Sequence, residues 1–218
     1  MNIPTKITTV RIVLVAVLLV FLFTCSVIPS FESPLLGNSG INLVYLIACI
    51  VFIVASLTDF LDGYLARKWN QVTDLGKFLD PIADKMLVNG LLIFLVFPWS
   101  FAPNQRCFIP VFCVILMVIR DLVVDGLRFI AAKKNEVIAA NIFGKLKTVS
   151  QMVAIPVVLL NGWPFSYFDS SWPVAINISS ILIYIATFFS VLSGIIYVIQ
   201  NRKVLKEDRK VLKEGKHE

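Results

Sequence analysis

The sequence predicts an all-α polytopic membrane protein with six transmembrane helices and both termini on the cytoplasmic side. Three observations predict it. Hydrophobic residues make up 58% of the 218-residue chain and charged residues only 16%, whereas a soluble domain is about a quarter charged. Long stretches carry no charge at all. Lysine and arginine collect in alternate connecting segments. The mean hydropathy of +0.84 agrees. No polar linker divides the chain, so residues 1–200 read as one membrane domain and 201–218 as a basic cytoplasmic tail.

The uncharged stretches place the helices. They cover 12–31, 33–58, 86–105, 148–168 and 170–201, and about 20 apolar residues suffice to cross the hydrocarbon. The segment 107–132 is long enough but carries Arg120, Asp121, Asp125 and Arg128. The expected spans are 9–28, 41–67, 77–97, 107–132, 142–162 and 175–200. The first lacks a small-residue cleavage site after a short apolar core and reads as an uncleaved span.

The connecting segments orient the spans. The starting segment carries Lys6 and Arg11; the link between the second and third helices carries Arg67, Lys68 and Lys77; that between the fourth and fifth carries Lys133, Lys134, Lys145 and Lys147. The intervening loops, 29–40, 98–106 and 163–174, contain a single basic residue, Arg106. Positive charge marks the cytoplasmic side, and six helices satisfy the alternation at every loop. Trp99, Trp163, Tyr167 and Trp172 fall at the opposite interface, where aromatic belts form.

The net charge is +6, and half of it lies in the tail, where seven bases face four acids. Such a tail either attracts anionic headgroups or is a solvated end that enforces topology. No nucleic-acid partner is expected. Cys25, Cys49, Cys107 and Cys113 lack metal-ligand spacing and read as packing residues. The one histidine, His217, is penultimate and has no catalytic setting.

The chemistry concentrates in DFLDGYLARKWNQVTDLGKFLDPIAD, residues 59–84. On a helix, Asp59, Asp62, Gly63 and Ala66 share an arc of about 100°, with Arg67 at its margin. On the next helix Gly76, Asp80 and Asp84 share a face, the two acids roughly 6 Å apart along the axis. The hairpin brings four carboxylates to one depth, just inside the cytoplasmic boundary. Ionisable groups in membrane segments mark function. A salt-bridged hairpin, with Lys85 and Arg67 pairing two of the acids, is the bland alternative. It leaves the small residues on the same face unexplained. A divalent-cation site explains them, because oxygen ligands suit Mg²⁺ or Mn²⁺ and small residues admit a flat ligand. Asp74 falls in the turn and reads as a solvated or capping residue.

Asp59, Asp62, Gly63, Ala66, Arg67, Gly76, Asp80 and Asp84 match D-x2-D-G-x2-A-R-x8-G-x3-D-x3-D, and in this the chain resembles the CDP-alcohol phosphatidyltransferase family. The opening MNIPTKITTVR, the run FLDPIADK and the segment GKLKT resemble the branch that uses sn-glycerol 3-phosphate. The likeness covers nearly the whole chain. It implies transfer of a phosphatidyl group from CDP-diacylglycerol to that acceptor, with release of CMP. It also implies two divalent cations on Asp59, Asp62 and Asp80, with Asp84 as general base on the acceptor hydroxyl and a further contact to metal. Gly63, Ala66, Arg67 and Gly76 would line the donor-nucleotide site. No serine, cysteine or histidine arrangement competes for a covalent role, so direct displacement is expected. A lipid donor would place the protein among membrane lipids in the cell membrane, with its site facing the cytoplasm.

The acceptor phosphate needs cations, and the candidates are Arg120, Arg128, Lys145 and Lys147. The alternative for the two arginines is pairing with Asp121 and Asp125. On an ideal helix Lys147 lies about 200° from Lys145, so the two lysines meet one ligand only if the helix begins after Lys145. Two departures from the family branch stand here: Asp121 replaces a usual glutamate, and Asp125 replaces a usual small hydroxyl residue. The family is commonly a homodimer. Ser190, Ser193 and Gly194 on the last helix would allow close packing, either across such an interface or inside one subunit. A transporter, the reading from a different class, would line a path across the bilayer with its acids rather than gather them at one edge.

Overall fold

A computed structural model describes residues 3–28, 32–37, 40–68, 73–103, 105–134, 142–169 and 171–202. Among them the chain is all helical: α1 (Ile3–Val27), α2 (Leu43–Lys68), α3 (Asp74–Phe94), α4 (Val111–Lys133), α5 (Ile142–Leu159), the single turn α6 (Ser166–Asp169) and α7 (Ile178–Gln200), with a 3-10 turn at Val174–Ile176 before α7. The six long helices fall on the six expected spans. Most of the expected hairpin turn, residues 69–72, and the basic tail beyond Arg202 lie outside the described residues.

Four of the helices, α1, α2, α5 and α7, are long and apolar enough to cross a membrane on composition alone. The other two long helices carry charge along their length, α3 with Asp80, Asp84 and Lys85 and α4 with Arg120, Asp121, Asp125 and Arg128. The helices are apolar outside as well as inside. On α1, Val15, Leu18 and Leu22 are buried while Val10, Val13, Val17 and Val20 are exposed. A helix apolar all round belongs in a large core or in lipid.

The core runs through the middle of the bundle. Tyr45, Ala48, Phe52 and Ala55 of α2 cluster with Leu87 and Leu91 of α3, Leu95 at its C-terminal cap, Cys113 and Met117 of α4, and Ile155 and Leu159 of α5. Their three- and four-residue spacing puts each set on one helix face. α1 packs on α2 and α3, while α7 packs on α5 and α4. All four cysteines are buried and none is in a disulfide, in keeping with packing roles.

Three local features set the site. First, α1 begins at Ile3 rather than near residue 9, so Thr5, Thr8 and Arg11 are helical. They recur every three residues and form a polar stripe that the bundle buries. Second, α2 continues to Lys68 and α3 starts at Asp74, so the link between them is shorter than the expected spans, ending at 67 and starting at 77, would leave. The Thr73 side chain accepts the Gly76 N–H at 3.1 Å, satisfying one of the orphan donors of the first turn. Third, Pro81 sits inside α3 directly after Asp80, where it removes one rung of the helix ladder.

Candidate active site

The end of α2 and the start of α3 bring Asp59, Asp62 and Asp80 together beneath the first turns of α1. The Thr8 hydroxyl lies 3.2 Å from Asp62 Oδ2 and 3.0 Å from Asp80 Oδ1. It has one proton to donate, so it serves the two carboxylates in turn. Arg11 donates to Asp59 through Nη1, and its Nη2 lies 3.9 Å from Asp80 Oδ1. The side chain of Arg11 is 2% exposed, whereas those of Asp59 and Asp80 are 45% and 47% exposed. Asp62 is buried. The cluster is therefore backed by protein on one side and open on the other.

Its charge is unbalanced. Among the described side chains that contact the cluster, three carboxylates face one guanidinium, whose Nε and Nη2 have no hydrogen-bond partner. No group of three or more acid, histidine or cysteine side chains among the described residues closes around a point as a ready metal site. Thr8 and Arg11 stand between the acids and account for this. The residues nonetheless fit divalent cations in kind: the donors are carboxylate oxygens, and their charge exceeds that of Arg11 by two.

Gly76 stands at the α1–α3 contact. A Cβ there would lie 3.1 Å from Thr73 Oγ1 and 3.7 Å from Thr5 Oγ1, and these two hydroxyls are 2.8 Å apart. Its lack of a side chain lets the capped start of α3 approach α1. Gly63 follows Asp62 on α2 and is half-buried. Of the remaining donor-site candidates, the side chains of Ala66 and Arg67 lie outside the described residues.

Asp84 links this cluster to a second one. It lies one helical turn along α3 from Asp80. It also lines a cavity of about 260 Å³ whose wall includes Arg120, Arg128, Lys145 and Lys147. All four acceptor-site candidates thus reach one space. Lys147 is buried while Lys145 is exposed. Both sit within α5, and the cavity is broad enough to take in their different faces. Five cations and three acids line it, Lys85, Asp84, Asp121 and Asp125 included, a formal net charge of +2.

The cations are held in place. Lys147 Nζ donates to both oxygens of Asp121, at 2.7 and 2.8 Å. Arg120 Nη1 donates to Asp121 at 2.9 Å, and its Nε and Nη2 donate to Ser193 Oγ at 3.1 and 2.7 Å. Arg128 Nε donates to the Tyr197 hydroxyl at 3.0 Å, with its guanidinium 5.5 Å from the ring centre. Lys85 pairs with Asp125 of α4 rather than with the acids of its own hairpin.

Sequence reasoning missed Thr8, Arg11, Ser193 and Tyr197. The three-residue polar stripe on α1 was a usable signal for the first two. Nothing local marked the last two, which meet their partners across 73 and 69 residues. Ser190, Ser193 and Gly194 are buried inside the single chain, so they pack within one subunit.

An acid cluster and a cationic cavity joined at one carboxylate suit transfer of a charged group between two phosphate-bearing partners. Comparison with known proteins agrees. Residues 1–192 match the family model for CDP-alcohol phosphatidyltransferase. A Bacillus subtilis protein named CDP-diacylglycerol–glycerol-3-phosphate 3-phosphatidyltransferase is 38% identical over 205 residues, covering 94% of this chain and 97% of its own. Proteins of the same name from Mycoplasma pneumoniae and Haemophilus influenzae are 38% and 32% identical, covering 94% and 90% of this chain and 89% and 91% of their own. With a match over most of its length and the eight signature residues in place, the chain belongs to the CDP-alcohol phosphatidyltransferase family.

Proposed function

We propose that the protein transfers the phosphatidyl group of CDP-diacylglycerol to sn-glycerol 3-phosphate, giving phosphatidylglycerophosphate and CMP. The observation that carries this reading is the meeting of the acid cluster and the cationic cavity at Asp84. The names of the relatives support the same donor and acceptor. The cavity, about 260 Å³, lies below the roughly 300–1,000 Å³ of drug-sized sites. That suits a small polar acceptor better than a nucleotide bearing two acyl chains.

Arg120, Arg128, Lys145 and Lys147 bind the acceptor phosphate by charge-assisted hydrogen bonds, and the net charge of about +2 matches a phosphate dianion. Asp84, on the wall of the same cavity, accepts the proton of the acceptor's primary hydroxyl on a carboxylate oxygen. The hydroxyl oxygen forms a bond to the phosphorus that bears the diacylglycerol. The bond from that phosphorus to the bridging oxygen breaks, and its electron pair leaves with CMP. Two divalent cations, Mg²⁺ or Mn²⁺, held by Asp59, Asp62, Asp80 and Asp84 would supply the positive charge that neutralises the diphosphate. Gly63, Ala66, Arg67 and Gly76 line the nucleotide side. Thr8 and Arg11 orient the carboxylates.

Six helices cross the cell membrane with both termini and the active site toward the cytoplasm. The four apolar helices and the basic segments support this, and the charged faces of α3 and α4 point into the bundle and its cavity. The protein works as a homodimer. An acceptor panel tests the reading. Purified protein with CDP-diacylglycerol and Mg²⁺ or Mn²⁺ should release CMP fastest with glycerol 3-phosphate. Preference for serine or inositol phosphate would overturn the acceptor and leave the family intact.

A further inference from the structure

We infer that Ser193 and Gly194 of α7 are positioning residues for the acceptor-phosphate cavity, acting through Arg120 and Asp121 on Lys147. This rests on the acceptor reading proposed above. The geometry begins with a missing side chain. A Cβ at Gly194 would stand 2.7 Å from Arg120 Cγ, with Cβ and Cδ of the same arginine at 3.7 and 3.8 Å. The encroached atom is in the middle of the arginine stem, not at its free end. The guanidinium beyond it is tied at both edges, so the stem cannot swing aside. A glycine deep in a helix is unfavourable relative to alanine, and here its place is explained by the stem that crosses α7 over it.

Ser193 completes the device. It is fully buried and donates its one proton to the Ser190 carbonyl at 2.8 Å. That turns its lone pairs toward Arg120, which donates to them from Nε and Nη2. Three of the five guanidinium N–H groups are then committed, two to Ser193 and one to Asp121. The uncommitted ones belong to Nη1 and Nη2, and Nη2 lies beside Gly144 at the cavity wall. Asp121, held by Arg120, grips Lys147 with both oxygens. The order Ser193, Arg120, Asp121, Lys147 thus runs from α7 through α4 to α5 and sets two of the cations that face the acceptor. None of these residues contacts the Asp59, Asp62 and Asp80 cluster.

The test is steady-state CMP release by the full chain in detergent micelles, varying glycerol 3-phosphate and CDP-diacylglycerol separately. Gly194→Ala should raise the acceptor KM about tenfold, the scale of one charge-assisted hydrogen bond, and shift the donor KM less than about twofold. Ser193→Ala adds no atom, and should raise the acceptor KM by roughly the same factor. It keeps the test decisive if Gly194→Ala does not fold. In an Arg120→Ala background the atom that the new Cβ meets is gone, so Gly194→Ala should add less than about twofold. An acceptor KM unmoved by Ser193→Ala, or a Gly194→Ala effect undiminished in the Arg120→Ala background, overturns the inference while leaving the cavity assignment standing. An acceptor KM unmoved by Arg120→Ala itself refutes the assignment of Arg120 to the cavity and this inference with it.

Discussion

Replacing Asp121 with asparagine probes the buried ion cluster directly. The Asp121 side chain is 8% exposed, and those of Lys147 and Arg120 are 10% and 14% exposed. Asp121 is the hydrogen-bonding carboxylate of both cations. Asparagine keeps the shape, removes the charge and turns an NH₂ group toward one of two donors. Breaking a buried ion pair from one side costs about 3–5 kcal/mol. The adjoining cavity admits water, so the lower end, about 3 kcal/mol, applies here. At about 2–4 °C per kcal/mol for a chain of this size, the thermal midpoint should fall by roughly 6–12 °C. The stranded cations are those proposed to bind the acceptor phosphate. Glycerol 3-phosphate at a hundredfold excess over its Kd stabilises the protein that binds it by about 2.7 kcal/mol. At one fixed concentration it should raise the midpoint of Asp121→Asn less than that of the unaltered protein, because Arg120 and Lys147 lose the carboxylate that holds them in position. Thermal denaturation in micelles, with and without glycerol 3-phosphate, followed by tryptophan fluorescence, reads both effects. A midpoint within about 2 °C of the unaltered protein, or equal shifts on adding the acceptor, would refute the reasoning.

Replacing Asp59, Asp62 or Asp80 by asparagine should each nearly abolish CMP release, and near-normal rates in all three would end the metal-site proposal. Asp84→Asn should lose turnover while CDP-diacylglycerol still binds, measured on one preparation. Arg128→Ala should raise the glycerol 3-phosphate KM by about one to two orders of magnitude with little change in the donor KM; equal loss of both would move that arginine to another pocket. Cysteines introduced at Lys134 and at Tyr167, in a background without native cysteines, should label from opposite sides of the membrane, and labelling from the same side would break the six-span arrangement.

Much of this was legible along the chain because it depends on neighbours in sequence. Six hydrophobic stretches became six long helices within a few residues of their expected bounds. Asp59 and Asp62 both meet the α1 stripe, through Arg11 and Thr8, because helical geometry is local and puts residues three apart on one face. The start of α1 was misjudged for a physical reason. A threonine–arginine stripe looks like a headgroup segment until something is known to cover it, and the aspartates of α2 and α3 cover it. The helical wheel separated Lys145 from Lys147. The cavity unites them because its walls come from α3, α4, α5 and α7 and wrap more than one face of α5.

Composition and spacing alone determined that the chain is helical and apolar, where its acids lie, and which family it resembles, since each of these is a property of residue order and short-range periodicity. Tertiary structure alone decided the partners. Thr8 finds Asp80 across 72 residues, Arg120 finds Ser193 across 73, and Lys85 chooses Asp125 over the nearer acids of its own hairpin. A charge buried in an apolar bundle must be met by whatever opposite or hydrogen-bonding group the packing brings within about 3 Å. Which group that is depends on how whole helices dock, and no local pattern records it.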